Sequence, residues 1–358
     1  MIESFEVKKL NGKISGFYEF KKDLNILTGK NGCGKTTILK LLWYILSGNH
    51  DKIFDEMHFE LAEISLSNKA KISMKVFKDK DDKEQITFTA ISPKFDVNFK
   101  KTSLVSDFTK ETQRYHSEIG SLFFPTFRRI EGGFSVDSRL RHNSRMKPNR
   151  LREALDSISG NLSTTANHRF ISSLSTEDID YLLSRKYANL SEEIRKLEIN
   201  QSKKILNIVA TSDKKEKESL EKIKKIVKEN DGKKNEILRP FNVLSSLTTK
   251  IFKEKAIKIS SNLELGGAKE AILSDRLSAG EKQMLSFLCY NFFVDNSVIF
   301  IDEPELSLHT DWQRLLFPTL LKQKKNNQFI IATHSPFIYS KYEDKEIIIN
   351  EDKGNTNE

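Results

Sequence analysis

The stretch Leu24-Asn25-Ile26-Leu27-Thr28-Gly29-Lys30-Asn31-Gly32-Cys33-Gly34-Lys35-Thr36-Thr37 decides the reading of this chain. It begins as a strand and passes into G-x-x-x-x-G-K-[ST], with Gly29, Gly34, Lys35 and Thr36 at the fixed positions. From Thr36 to Leu46 the spacing turns helical, and Ile38, Leu39, Leu41, Leu42, Ile45 and Leu46 make one broad apolar face. Strand, glycine turn and helix is the setting in which such a loop wraps phosphate. Glycines let the backbone close so that successive N–H groups point inward, and the helix adds its positive N-terminal end. On this reading Gly29, Lys30, Asn31, Gly32, Cys33, Gly34, Lys35, Thr36 and Thr37 are nucleotide contacts. Lys35 would bridge the β- and γ-phosphates of ATP, and the Thr36 hydroxyl would ligate Mg2+. Cys33 stands at a variable position and is given no redox role.

Two later strands supply the remaining chemistry. Val298-Ile299-Phe300-Ile301-Asp302-Glu303-Pro304 is four apolar residues followed by two carboxylates. A buried strand ending this way delivers both groups to the phosphate end of a parallel sheet. Asp302 is expected to hold Mg2+, directly or through water, and Glu303 to orient and deprotonate the attacking water. Glu305 is a further carboxylate with no role that the sequence assigns. The second strand, Phe329-Ile330-Ile331-Ala332-Thr333-His334-Ser335, places His334 at a strand's C-terminal end, where it could sense or polarise a γ-phosphate.

Between the loop and these strands lies Leu277-Ser278-Ala279-Gly280-Glu281-Lys282-Gln283, just before an apolar helix that Ser278 would cap. With this segment the chain resembles the ABC-type ATPases, the group that includes Rad50, SMC and RecF proteins. Their order of phosphate loop, LSxGE signature, Walker B ending in Asp-Glu, D-loop and switch histidine is kept here, with Ser307-Leu308-His309 in the D-loop place. The resemblance implies a homodimer or higher homo-oligomer. In it, Ser278, Gly280 and Glu281 of one head would cap ATP held by the phosphate loop of another, with Lys35, Glu303 and His334 catalytic. The family's Q-loop is not clear: Gln113 is one candidate, and the segment LFFPTFRRIEGG after residue 121 is another. The Asp302-Glu303-Pro304-Glu305 run followed by Ser307-Leu308-His309, and strands like LFFPTFRR, are similar to ATPases of bacterial anti-phage defence operons. These include the overcoming-lysogenization-defect nucleases, the Septu and retron-associated ATPases and the PARIS ATPase subunit. The nucleases of that group continue into a Toprim domain after the histidine. Here 24 residues follow His334, so the resemblance implies a sensor or gate whose effector, a nuclease or toxin, is a separate protein. A RecF/SMC-like DNA-repair ATPase and a nucleotide-gated scaffold with little hydrolysis are the alternatives. A transporter subunit is disfavoured because the helical insertion and the arginine-rich segment sit where transporters have a compact helical subdomain.

Outward from the motifs, the expected class is α/β: an ABC-type P-loop head with an antiparallel β section and a short coiled-coil-like helical insertion. Asn11-Gly12 marks an early hairpin, and residues 58–100 alternate as antiparallel strands. Leu183, Tyr187, Leu190, Ile194 and Leu197 form a heptad seam that fades at Gln201 and Lys204. A second charged helix follows, ended by Asn230-Asp231-Gly232. The expected division is 1–174 for a first ATPase lobe, 175–235 for a helical hairpin and 236–358 for a second lobe.

Composition excludes more than it identifies. The 358 residues carry a formal charge of +9, with 37% hydrophobic and 30% charged residues. That is too apolar for a disordered chain and too charged for a multi-span membrane protein. Two unclustered cysteines, Cys33 and Cys289, suggest a reducing, cytoplasmic compartment, and no secretory leader is expected. Seven of the 14 arginines fall between residues 128 and 152. Arg128, Arg129, Arg139, Arg141 and Arg145 are candidates for DNA or RNA phosphates or, for the first two, for ATP; internal ion pairs or a protein interface are the remaining reading.

Overall fold

A computed structural model describes residues 1–92, 97–105, 107–108, 117–126, 157–163, 167–172, 176–211, 216–251 and 278–349. Strand β3 (Leu24–Thr28) is buried along its whole length and leads through the glycine loop into α1 (Lys35–Ser47). Around it forms a parallel sheet. Its other strands are β8 (Ser121–Phe124), β9 (His168–Phe170), β10 (Val298–Asp302), β11 (Gln328–Ala332) and β12 (Glu346–Ile348), in the order β12-β3-β11-β10-β8-β9. Every pairing in that sheet is parallel. Strands covered on both faces need continuous apolar runs, which is why VIFID and QFIIA do not alternate with polar residues.

A second, antiparallel sheet holds β1 (Ile2–Leu10), β2 (Ile14–Glu19), β4 (Leu61–Leu66), β5 (Lys71–Lys78), β6 (Glu84–Ser92) and β7 (Val97–Leu104), in the order β2-β1-β4-β5-β6-β7. The β1–β2 hairpin turns where Asn11-Gly12 predicts, with Asn11 at φ 49° and Gly12 at φ 73°. Short α2 (His50–Glu56) follows α1.

The two faces of the parallel sheet belong to two cores. Phe300, Val298, Ile330 and Phe123 face α1 and the antiparallel sheet, around fully buried Trp43. Ile299, Ile301, Phe329, Ile331 and Phe124 face α5 (Ala279–Phe293) and α6 (Thr310–Lys322). Gln328 ties the sheets together: its side-chain amide donates to the carbonyls of Ile2 and Lys21 and accepts from the Ile2 amide, each at 2.8 Å.

Helices α3 (Thr176–Thr211) and α4 (Glu216–Ile251) pack on each other as the predicted hairpin. The base of α3 belongs to the second core through Leu183, with Tyr187 and Leu190 half-buried against it. Farther along, Ile199, Leu206 and Val209 are exposed, in keeping with the fading of the seam. One expectation is corrected. Helix α4 does not end at Asn230-Asp231-Gly232 but runs to Ile251, past the boundary at 235. Gly232 keeps a negative φ with open space around it, and a single glycine inside a helix costs only about 1 kcal/mol relative to alanine.

Candidate nucleotide site

Strand register brings the motifs to one edge. Asp302 pairs with Ala332, and Ala332 with Leu27, so the ends of β10, β11 and β3 lie side by side at the C-terminal edge of the parallel sheet. That is the edge at which open α/β sheets bind ligands. Beyond it come Glu303, Thr333-His334 and the glycine loop.

The loop has the backbone its sequence requires. Gly29, Gly32 and Gly34 have φ of 143°, 77° and 101°. Gly34 caps α1 in the left-handed conformation, and a Cβ there would lie 2.0 Å from Ile14 Cδ1. No side chain caps α1, and its first turn has no acidic residue of its own, so its first amides are left without a side-chain cap. Lys35 is buried, and its Nζ donates to the carbonyls of Gly29 and Lys30 at 3.0 and 3.1 Å, with Cys33 Sγ at 3.8 Å. The ammonium therefore lies over the loop itself. Asn31, Gly32 and Thr36 are exposed, and Cys33 and Thr37 half-buried.

Asp302 is buried, and both its carboxylate oxygens are engaged: Oδ1 accepts from Thr36 Oγ1 at 3.0 Å and Oδ2 from Thr126 Oγ1. Thr126 lies just beyond β8, the neighbour of β10. The LFFPTFRRIEGG segment therefore reaches the site at least as far as Thr126. Gln113 and Arg128, Arg129, Arg139, Arg141 and Arg145 lie outside the described residues.

Glu303 has φ 47°, a conformation uncommon for any residue but glycine, and its amide donates to Ala332 O at 2.8 Å. Burial, with Asp302 and Glu305 nearby, holds its carboxyl above the usual carboxylate range, against the opposing pull of His334 and Lys35. His334 has an exposed side chain. Glu305 sits in the turn after β10, where its carboxylate accepts from Thr333 Oγ1 and from the His334 amide, both at 2.8 Å.

The predicted cap at Ser278 is present as a full capping box. Glu281 N donates to Ser278 Oγ at 3.4 Å, and Ser278 N to Glu281 Oε2 at 2.6 Å. Glu281 thus directs its carboxylate back at the start of α5, while Ser278 and Ala279 face solvent. Gly280 abuts the turn after β10, since a Cβ there would lie 2.4 Å from Ser307 O. Gln283 donates to Pro304 O at 2.9 Å and braces the same turn from the other side.

Sequence reasoning assigned no role to Thr126, Glu305 or Gln283. A hydroxyl just after a Pro-broken strand was the available signal for Thr126, but its meaning depends on β8 lying beside β10.

A family model described as AAA ATPase domain matches residues 13–339. The chain belongs to that family. It is an ATPase of the ABC-type P-loop class, with a retron ATPase among its relatives. The retron Ec83 probable ATPase of Escherichia coli is 34% identical over 98 residues, 21% of this chain and 18% of that protein. Endonuclease GajA of Bacillus cereus (strain VD045) is 40% identical over 63 residues, 16% and 11% of the two chains. ABC transporter A family member 9 of Dictyostelium discoideum is 36% identical over 77 residues, 22% and 9%. The matched stretches thus span less than a fifth of the length of each of these relatives.

Among solved structures, the Smc head domain from Pyrococcus furiosus superposes with a TM-score of 0.35 at 18% identity, covering 95% of this chain and 91% of that one. RecF in its ATPrS-bound form gives 0.36 at 14%, covering 94% of each. The fold assignment rests instead on the strand order and the glycine loop. No described helix is long and apolar enough to cross a membrane.

Proposed function

We propose that this chain binds and hydrolyses ATP between two heads arranged head to tail. We further propose that this cycle gates a cytoplasmic defence complex whose effector is a separate protein. The observation that carries the reading is the convergence of Thr36, Asp302, Glu303 and His334 at one sheet edge beside an uncapped helix N-terminus.

The donor set fits Mg2+. An alcohol and a carboxylate, both hard oxygen donors, stand together at Thr36 and Asp302. Among the described residues no cluster of three or more His, Cys, Asp or Glu competes for a metal. A magnesium site completed by phosphate oxygens needs no more than one or two protein ligands. When bound, the ion would neutralise charge building on the β- and γ-phosphates.

The chain's own groups do the rest. The glycine loop and the start of α1 present N–H groups to the phosphates. Lys35 transfers its ammonium from the Gly29 and Lys30 carbonyls to the β/γ bridge. Glu303, beside Asp302 at the strand end, takes the proton of the attacking water. His334 orients toward the γ-phosphate. Ser278 and Gly280, with Glu281 holding the helix start, meet the γ-phosphate of the opposite head.

The retron ATPase among the relatives supports the defence reading over a DNA-repair one. Residues 1–174 and the part of 236–358 beyond α4 would form the two ATPase lobes, with α3 and α4 as the element between them that transmits the nucleotide state.

Complementation tests the composite site. Lys35→Ala and Ser278→Arg chains should each be inactive, and mixing them should restore part of the turnover by rebuilding one site. No recovery in the mixture would contradict the head-to-tail arrangement. Turnover with and without double-stranded DNA, and the proteins that co-purify, would separate the defence reading from RecF/SMC-like repair and from a slow scaffold.

A further inference from the structure

We infer that Glu305 is a positioning residue for hydrolysis, holding His334 at the catalytic edge. This rests on the reading of His334 given above. The parallel ladder on β11 ends at Ala332, and Thr333 N to Leu27 O, at 3.2 Å, is the last backbone bond to β3. The chain then leaves the sheet just before His334, so the ladder no longer fixes the histidine. Glu305 takes over at that point. One carboxylate oxygen accepts the Thr333 hydroxyl and the other the His334 amide, both at 2.8 Å. Hydrogen bonds to an ionised acceptor are the stronger kind, and two of them from adjacent residues fix a direction as well as a distance.

Glu305 is itself fixed. Its carbonyl accepts from Leu308 N at 2.9 Å, and Leu306 N donates to Glu303 O at 3.3 Å, closing the turn that begins at Glu303. A second brace joins the same two segments. Ser335 Oγ donates to Gln313 Oε1, while Gln313 Nε2 donates to Leu308 O at 2.8 Å. The turn that carries Glu303 and the segment that carries His334 are therefore held together by two braces, Glu305 at one and Gln313 at the other. The two oxygens of Glu305 face the switch segment, which distinguishes it from Glu303 as a base.

The prediction is a selective loss of turnover. Glu305→Ala should lower kcat about ten- to a hundredfold, the scale of a displaced catalytic group, and leave KM for ATP within about twofold. The near-isosteric Glu305→Gln guards against misfolding. Glutamine has an acceptor at only one of the two terminal positions that Glu305 uses, the other being an NH2 donor, so it should fall between wild type and Glu305→Ala. Binding of a fluorescent ATP analogue should be unchanged in both. In the double variant Glu305→Ala/His334→Ala, kcat should be no lower than in His334→Ala alone, since both changes remove one function. Wild-type kcat in Glu305→Ala and Glu305→Gln would overturn the inference, as would losses that multiply in the double variant. A slow His334→Ala beside a normal Glu305→Ala refutes only the role of Glu305. Full kcat in His334→Ala refutes the role of the histidine itself and the inference with it.

Discussion

The Thr36 hydroxyl donates to Asp302 Oδ1 at 3.0 Å, across 266 positions of sequence. The bond joins the first residues of α1 to the last residue of β10, and it explains why two motifs at opposite ends of the chain form one site. Thr36→Ala and Asp302→Asn should each weaken Mg2+-dependent ATP binding by about tenfold or more, since even losing an outer partner of a bound metal costs that much. Calorimetric titration of ATP with Mg2+ and with EDTA checks this. The variants should differ from wild type in Mg2+ and match it in EDTA.

Gly280 leaves no room for a side chain against Ser307 O. Ser307 itself has φ 66°, so the turn has little freedom to move aside. Gly280→Ala should therefore displace the turn that carries Glu303 and Glu305. It should cost about 1–3 kcal/mol, as overpacking does, and lower turnover while the isolated chain still binds ATP. Thermal unfolding and turnover measured side by side would show it.

Gln328 joins the two sheets through three hydrogen bonds. Gln328→Leu keeps the volume but leaves the Ile2 amide and the Ile2 and Lys21 carbonyls without it. A loss of about 2–4 kcal/mol in urea unfolding is expected from stranding such groups. A change under about 0.5 kcal/mol would show that the sheets are held by apolar packing alone.

Asp23 accepts from Lys345 at 2.7 and 2.9 Å. Burial alone would raise its pKa, but the hydrogen bonds from Lys345 and the Leu24 amide outweigh that and hold the carboxyl below its ordinary value. A depressed carboxylate stabilises the fold above its unfolded pKa, and that contribution fades as pH falls through the folded pKa. Wild type should therefore lose stability on acidification through the low end of the carboxylate range. Lys345→Met should lose less over the same interval, measured as urea midpoint against pH.

The glycine loop, the Asp-Glu strand end, the capped helix at Ser278 and the strand that ends before His334 were all legible in the sequence, because each is a contiguous run whose local structure follows from its own residues. The antiparallel section and the helical hairpin were legible from periodicity. The roles of Thr126 and Glu305 were not. Thr126 meets Asp302 only because β8 pairs with β10, and Glu305 meets His334 only because β10 pairs with β11. Strand order is a tertiary fact that one sequence does not carry. The end of α4 was misplaced for a different reason: Asn-Asp-Gly favours a stop, yet the helix tolerates it over an exposed stretch.

The most direct test of the site is ATP turnover by Glu303→Gln. The amide keeps the shape of the side chain and its place beside Asp302 but cannot take a proton from water. Turnover should fall by at least about a hundredfold, the lower end of the range for general-base catalysis, while the variant retains ATP and accumulates as an ATP-stabilised oligomer. Turnover at the wild-type rate would contradict the assignment of Glu303 as the base, and with it the account of this edge as the catalytic one.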